Sequence, residues 1–235
     1  MAGIFKTEEE VEEFINTIGT EYKFGCLHEK DPEACFLLGQ WYHSEREDLA
    51  KALEINKKGC DELNYSKCCF QVGQAYLFGR SVDKSASEAF KYYKKGCSES
   101  KATYPRDYGL SCLMGGQIAI GLFEVDDKSK VSPPSEGLSM LEKACGLGSL
   151  DSCEILHQVF RNGTSSVSKD EKKSLKYAER SCDLSSLPGC YAAYDMYRKG
   201  IGTEKNAEKA SEFKKKLKEL EEQVNVGAQM GMYTT

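Results

Sequence analysis

Several features that would point to a membrane, nucleic-acid or disordered protein are scarce in this sequence. No apolar run approaches the ~20 residues that a membrane-spanning helix needs, so we expect no stable membrane span. Only 5 of the 235 residues are proline, and 13 tyrosines and 10 phenylalanines exclude a disordered composition. The net charge is −5. The longest basic run, residues 214–216, is followed at once by Glu219, Glu221 and Glu222, which is typical of a solvated helix face, and we predict no nucleic-acid binding.

The first residues, MAGIFKTEEEVEEF, show neither a basic segment followed by an apolar one nor an arginine-rich amphipathic presequence. We therefore expect no cleavable targeting segment. Against these absences stand eleven cysteines, which are not scattered along the chain. They lie at positions 26, 35, 60, 68, 69, 97, 112, 145, 153, 182 and 190.

The cysteines mark an internal repeat, which appears when segments are aligned on the second cysteine of successive pairs. The five segments are Cys35-FLLGQWY, Cys69-FQVGQAY, Cys112-LMGGQIA, Cys153-EILHQVF and Cys190-YAAYDMY. The residues at offset four are Gly39, Gly73, Gly116, His157 and Tyr194, and those at offset seven are Tyr42, Tyr76, Ala119, Phe160 and Tyr197. These offsets share one helical stripe, and glycine at offset ten in three segments (Gly79, Gly163 and Gly200) predicts the helix end.

A second helix follows in each repeat and ends with a small residue before a cysteine, as in EINKKGC and KYYKKGC. The N-terminal stretch ends in the same way, so residues 7–25 are predicted to form a lone second helix. Thr7 and Glu10 fit a capping box. The predicted apolar face of this helix consists of Val11, Phe14, Ile15, Ile18 and Tyr22. The spacings of 34, 43, 41 and 37 residues between second cysteines are typical of helix pairs in an α-solenoid.

This pattern resembles the Sel-one-like repeat, a relative of the tetratricopeptide repeat, over residues 26–217. The resemblance implies an all-α, right-handed helical-repeat solenoid of about eleven helices stapled by disulfides. The predicted repeats span about 32–60, 66–97, 108–145, 150–182 and 187–223. We expect a single domain over residues 1–225 and a disordered tail over 226–235, where the sequence shows neither periodicity nor a charge pattern.

Two subfamilies have cysteines in this arrangement: secreted bacterial cysteine-rich repeat proteins, and mitochondrial Sel-one-like assembly factors of cytochrome c oxidase. The sequence is similar to the second in its opening, in the segment CLHEKDPEAC, and in its long third loop. That resemblance implies residence in the mitochondrial intermembrane space and a non-catalytic role in building respiratory-chain complexes, chiefly complex IV. The expected partners are other proteins, namely respiratory-chain subunits or assembly factors and the oxidative import machinery.

Pairing neighbouring cysteines gives five candidate disulfides and leaves Cys68 as a possible free thiol. The register chooses Cys69 over Cys68, because Gly73 and Tyr76 follow Cys69 at the offsets seen after Cys35. The candidate pairs are Cys26–Cys35, Cys60–Cys69, Cys97–Cys112, Cys145–Cys153 and Cys182–Cys190. The alternative is a set of reduced cysteines that pack as small hydrophobes. A zinc site is less favoured, because no C-x-x-C motif or histidine partner lies nearby.

Other functions stay open at this point. Haem could be ligated by His28 or His157, although no cofactor is predicted, and Cys68 could exchange with the neighbouring disulfide in a thiol-disulfide redox protein. A secreted cysteine-rich adaptor is the third alternative, for which the sequons at Asn64 and Asn162 would matter. No convergent catalytic set appears in the sequence, so we predict a binding protein and not an enzyme.

Overall fold

The computed structural model describes residues 7–98 and 105–229, apart from the side chains of 105–107 and 225–229. All regular structure in these ranges is helical, and the chain divides into two compact units between Ser132 and Pro133. Within the same ranges, no helix is both long enough and apolar enough to cross a membrane. The prediction of one domain over 1–225 concerns how the units join and stays a prediction.

The N-terminal unit holds six α-helices, a π-helical turn and a 3-10 turn in its described residues. The helices are α1 (Glu8–Phe24), α2 (Pro32–Ser44), α3 (Leu49–Asp61), α4 (Ser66–Phe78), α5 (Ala86–Cys97) and α6 (Pro105–Ala119). The π-helical turn covers Gly25–Glu29 and the 3-10 turn covers Lys128–Lys130. Each helix packs on the next, so successive pairs form the layers of a repeat protein.

The C-terminal unit holds five α-helices in its described residues. They are α7 (Pro134–Gly146), α8 (Leu150–Asn162), α9 (Glu171–Asp183), α10 (Leu187–Lys199) and α11 (Ala207–Gln229). Its core lies between α9, α10 and α11, where Met196 and Phe213 are buried with Cys182 and Cys190. Leu217 and Leu220 pack against this core from the outer helix.

The helix ends follow local sequence signals. The Thr7 side chain accepts a hydrogen bond from the Glu10 N–H and the Glu10 carboxylate accepts one from the Thr7 N–H, which confirms the capping box. Gly79 and Gly200 end α4 and α10 with φ of +70° and +77°, a left-handed conformation that costs glycine little. The offset-ten glycines are thus the helix stops that the repeat pattern predicts.

The predicted apolar face of α1 is only partly covered: Val11 and Phe14 are 38% and 48% exposed. Alpha-1 packs on α2, where Gly19 lies against the Trp41 ring, and one neighbouring helix cannot cover a wide apolar face. Alpha-11 continues to Gln229, four residues into the predicted tail over 226–235, and the disorder of that tail stays a prediction. Extending an existing helix costs little once it is nucleated. Residues 230–235 lie outside the described residues.

Candidate functional site

The structure brings ten of the eleven cysteines together in pairs, in the combinations that the register favours. Their Sγ atoms lie 1.96–2.11 Å apart and their Cα atoms 4.4–4.9 Å apart. The pairs are Cys26–Cys35, Cys60–Cys69, Cys97–Cys112, Cys145–Cys153 and Cys182–Cys190. Each pair joins the end of one second helix to the following first helix, and Cys68 is left out.

Small residues let these helices cross closely enough for the cysteines to meet. A Cβ on Gly59 would lie 2.5 Å from the Cys68 Sγ, and one on Gly96 would lie 2.5 Å from the Ser111 Oγ. The residue before each second cysteine is small in every repeat, and the set is Ala34, Cys68, Ser111, Ser152 and Gly189. Cys68 is therefore the small residue of its own helix crossing. An alignment of the residues that precede each second cysteine predicts this packing role of Cys68 from the sequence.

Burial makes the Cys68 thiol a poor nucleophile. Its side chain is fully buried. Desolvation, helped by the nearby Glu33 carboxylate, raises the pKa of Cys68 to about 12. Since the thiolate is the form that attacks a disulfide, the neutral thiol is slow to exchange with the Cys60–Cys69 pair.

A polar groove with a volume of about 170 Å³ lies in the N-terminal unit, where α2, α3 and α4 meet. Its polar lining consists of Gln40, His43, Asn56, Gln71, Gln74 and Arg80. Its apolar lining consists of Gly39, Leu49, Ala52, Leu53 and Ala75. None of these lining residues carries a carboxylate, although the whole chain has a net charge of −5.

Asn56 is the buried polar residue of this groove. Only 6% of its surface is exposed, and its Nδ2 donates a 2.8 Å hydrogen bond to the Ala52 carbonyl. Its Oδ1 has no hydrogen-bond partner among the described residues. Gly39 leaves room for the carboxamide, because a Cβ there would lie 2.5 Å from Nδ2. A buried amide oxygen without a donor costs about 1–3 kcal/mol of stability.

The glutamines of the groove come from a repeated position that the sequence analysis did not single out. Gln40 and Gln74 both lie five residues after a second cysteine. Gln117 and Gln158 lie at the same offset, and Asp195 replaces glutamine in the last repeat. The side chains of Gln40, Gln71 and Gln74 have no hydrogen-bond partner among the described residues. The repetition of glutamine at a position outside the core is the sequence signal that could have identified these groove residues.

The three histidines lie in different surroundings. His28 is exposed and stacks on Phe24 with ring centroids 5.1 Å apart, and His43 lines the polar groove. His157 is half-buried, and its Nδ1 lies 3.0 Å from both the carbonyl and the hydroxyl of Ser174. A carbonyl oxygen can only accept, so the short contact with the Ser174 carbonyl assigns the proton to Nδ1, while the Ser174 hydroxyl donates to the His157 carbonyl. Burial lowers the pKa of His157.

The Sel1 repeat family matches residues 32–60, 66–100, 158–186 and 190–213. A Drosophila melanogaster protein called "Cytochrome c oxidase assembly factor 7 homolog" is 34% identical over 123 residues, covering 51% of this chain and 44% of that relative. The "Cytochrome c oxidase assembly factor 7" of Xenopus tropicalis is 30% identical over 208 residues, covering 73% of this chain and 89% of that relative. The chain thus spans less than half the Drosophila relative's length and most of the Xenopus one's.

A solved structure shows the same fold. The Sel1 repeat protein from Oxalobacter formigenes has a TM-score of 0.65 and 16% identity, with 88% of this chain and 56% of that chain covered. At that identity the likeness speaks for the fold alone. Together with the matched repeats, it confirms the predicted all-α helical-repeat solenoid.

Proposed function

Because the chain belongs to the cytochrome c oxidase assembly factor 7 family, we propose that it is a protein-binding, non-catalytic assembly factor for mitochondrial respiratory-chain complexes, chiefly cytochrome c oxidase. Family membership supports the role in complex IV assembly. The polar groove is the observation that carries the protein-binding part. It offers unpaired amides and a buried acceptor in Asn56, which suit recognition of a polypeptide.

The proposed compartment is the intermembrane space, and the cysteine pairs support it. Five pairs at bonding distance would need an oxidising environment to stay joined. We propose that all five are oxidised in the cell and that Cys68 stays a thiol. The raised pKa of Cys68 speaks against a thiol-disulfide redox role, because a neutral buried thiol reacts slowly.

The assembly role is tested by removing the protein from cells of its source organism. We expect less fully assembled cytochrome c oxidase on native gels and lower oxidase activity, both restored by re-expression of the wild-type chain. The expected partners, respiratory-chain subunits or assembly factors, should be recovered by proximity labelling within mitochondria. Normal levels of assembled oxidase in the depleted cells would contradict the proposal.

The compartment and the oxidation state are tested together on isolated mitochondria. The protein should resist protease in intact mitochondria and become sensitive when only the outer membrane is ruptured. Its mass under non-reducing conditions with acid quench should lie ten hydrogens below the fully reduced value. Carbohydrate at Asn64 would indicate a secreted protein, and a fully reduced mass would contradict the oxidised pairs.

A further inference from the structure

We propose that the polar groove binds an extended, acidic segment of a partner protein through hydrogen bonds between its amide side chains and the partner's main chain. This proposal rests on the proposed protein-binding function and names the ligand class of one site. The groove is defined above by its lining from Gly39 to Arg80. Two observations identify this ligand class: the charge of the groove lining and the unpaired, buried Asn56 Oδ1.

The Asn56 Oδ1 is buried and lacks a donor among the described residues, and an N–H of a bound partner would satisfy it. Main-chain amides present N–H and C=O groups in regular succession along an extended chain. Gln40, Gln71 and Gln74 each carry both a donor and an acceptor, so they can pair with either kind of main-chain group.

The groove is small for a small-molecule site. Its volume of about 170 Å³ is well below the ~300–1,000 Å³ of typical small-molecule sites. The groove opens to solvent, and its volume suits a short stretch of a bound chain. Leu49 and Leu53 supply an apolar contact for one side chain of that segment.

The groove lining includes a positive charge. Arg80 carries a guanidinium that is exposed at the groove, and His43 adds an imidazole on the same lining. No carboxylate lies among the lining residues, whereas the chain as a whole is acidic. A lining with one arginine and no carboxylate, on an acidic protein, favours a segment with one or more Asp or Glu residues over a basic one.

The test uses a displayed library of random twelve-residue peptides selected on the full-length oxidised protein. Four chains are compared: wild type, Asn56→Leu, Arg80→Ala and Gln158→Ala. The last is a matched control, because Gln158 occupies the same repeat position as Gln74 but lies in the C-terminal unit, outside the groove. We expect wild type and Gln158→Ala to enrich the same acidic peptides. Enrichment of no peptide, or of basic ones, would overturn the proposal.

The best-enriched peptide is then synthesised with blocked termini, and its affinity is measured by fluorescence anisotropy at low and high salt. We expect Asn56→Leu to weaken binding at least tenfold, because the variant cannot accept the peptide N–H. Arg80→Ala should weaken binding at low salt and reduce its salt dependence. Gln158→Ala should stay within twofold of wild type. Equal affinities for Asn56→Leu and wild type would overturn the proposal.

Vesicles that contain anionic phospholipid provide a second probe. Binding to them that depends on Arg80 but is unchanged in Asn56→Leu would assign the positive charge to a lipid surface and overturn the peptide proposal. Thermal unfolding of every variant is measured alongside. Asn56→Leu should melt at or above the wild-type temperature, so its loss of binding is not a loss of folding.

Re-expression in depleted cells separates this proposal from the broader function. If wild type and Gln158→Ala restore assembled oxidase but Asn56→Leu does not, both proposals are supported. If all three chains restore assembled oxidase equally, the assembly role is supported and the proposed role of the groove is contradicted. If depletion itself changes nothing, the assembly role falls while the peptide measurement still decides the groove.

Discussion

The same repeat position has opposite environments in the two units. Four residues after the second cysteine, α2 has Gly39, which leaves the Asn56 carboxamide in a groove with its Oδ1 unpaired. In α8 the equivalent residue is His157, whose ring fills the space and bonds to Ser174 on the next helix. One junction is open and its polar group lacks a partner, whereas the other is closed and its polar groups are paired.

Under the proposed function, the two junctions have different roles: one stabilises the fold and the other binds a partner. The closed junction puts its hydrogen bonds into holding two helices together. The open junction leaves the Asn56 Oδ1 unpaired, which lowers stability, and such a cost is common at functional sites. The offset-five position follows the same division, since Gln74 lines the groove while Asp195 pairs with Arg198 and Lys199 on its own helix.

The first prediction concerns the cysteine pair that both junction types share. We expect Cys60→Ala with Cys69→Ala, and Cys182→Ala with Cys190→Ala, to lower the free energy of unfolding by about 2.5 kcal/mol each. The two loops span 9 and 8 residues, so the chain-entropy contribution is nearly the same. Denaturant unfolding of the oxidised proteins measures it. A markedly larger loss in one unit would show that the junctions differ in packing and not only in polar pairing.

The second prediction separates two glycines of the N-terminal unit. A Cβ on Gly73 would lie 2.5–2.8 Å from the Tyr93 ring, which is buried and packs against Phe70. We expect Gly73→Ala to cost about 2–3 kcal/mol by overpacking. Gly39→Ala should cost less than about 1 kcal/mol, since the Asn56 carboxamide can turn into the groove. Thermal unfolding of both variants measures the difference, and equal costs would mean that the groove is as tightly packed as the core.

The regular features of the fold could be predicted from sequence because they repeat. The offsets from each second cysteine predict the helix pairs, the glycine stops at Gly79 and Gly200, and the choice of Cys69 over Cys68 as a partner of Cys60. Each signal depends on residues within one helix or one turn. The structure has the helices and their ends at these places.

The groove could not be predicted in the same way because it depends on contacts between helices. Nothing in the sequence shows that Gly39 faces Asn56, 17 positions later, or that the Asn56 Oδ1 is left without a donor. The exposure of Val11 and Phe14 could not be predicted either, because periodicity indicates an apolar face and not whether a neighbouring helix covers it. Only the repeated glutamines at Gln40 and Gln74 were visible in advance.

The third prediction is that substitutions at the two junctions change the free energy of unfolding in opposite directions. His157→Ala should lower the free energy of unfolding by about 1–2 kcal/mol, because it removes the hydrogen bond to the Ser174 carbonyl and leaves a void. Asn56→Leu should be neutral or slightly stabilising, because it replaces a buried unpaired oxygen with apolar atoms. Urea unfolding of both variants tests this. If Asn56→Leu destabilises as much as His157→Ala does, Asn56 is a structural residue and the open junction is not a reserved site.

The smallest expected effect is the pH dependence of the closed junction. Burial is the main cause of the lowered pKa of His157, opposed by its hydrogen bond to Ser174, so the folded state favours the neutral ring. The unfolded chain therefore binds the proton at a higher pH than the folded one, and stability falls as pH drops below the ordinary histidine value of about 6.5. The open junction has no buried imidazole, so this contribution belongs to the C-terminal unit.

His157→Gln isolates that contribution, since glutamine keeps an amide donor for the Ser174 carbonyl but does not titrate. The free energy of unfolding should fall less between pH 7.5 and pH 5.5 in the variant than in the wild-type chain. Carboxylates titrate mostly below this window, and Arg161 and Glu154, whose charges act on His157, are present in both proteins. An identical pH dependence in His157→Gln and wild type would mean that the protonated ring is accommodated in the folded junction, and that this junction is less closed than its hydrogen bonds indicate.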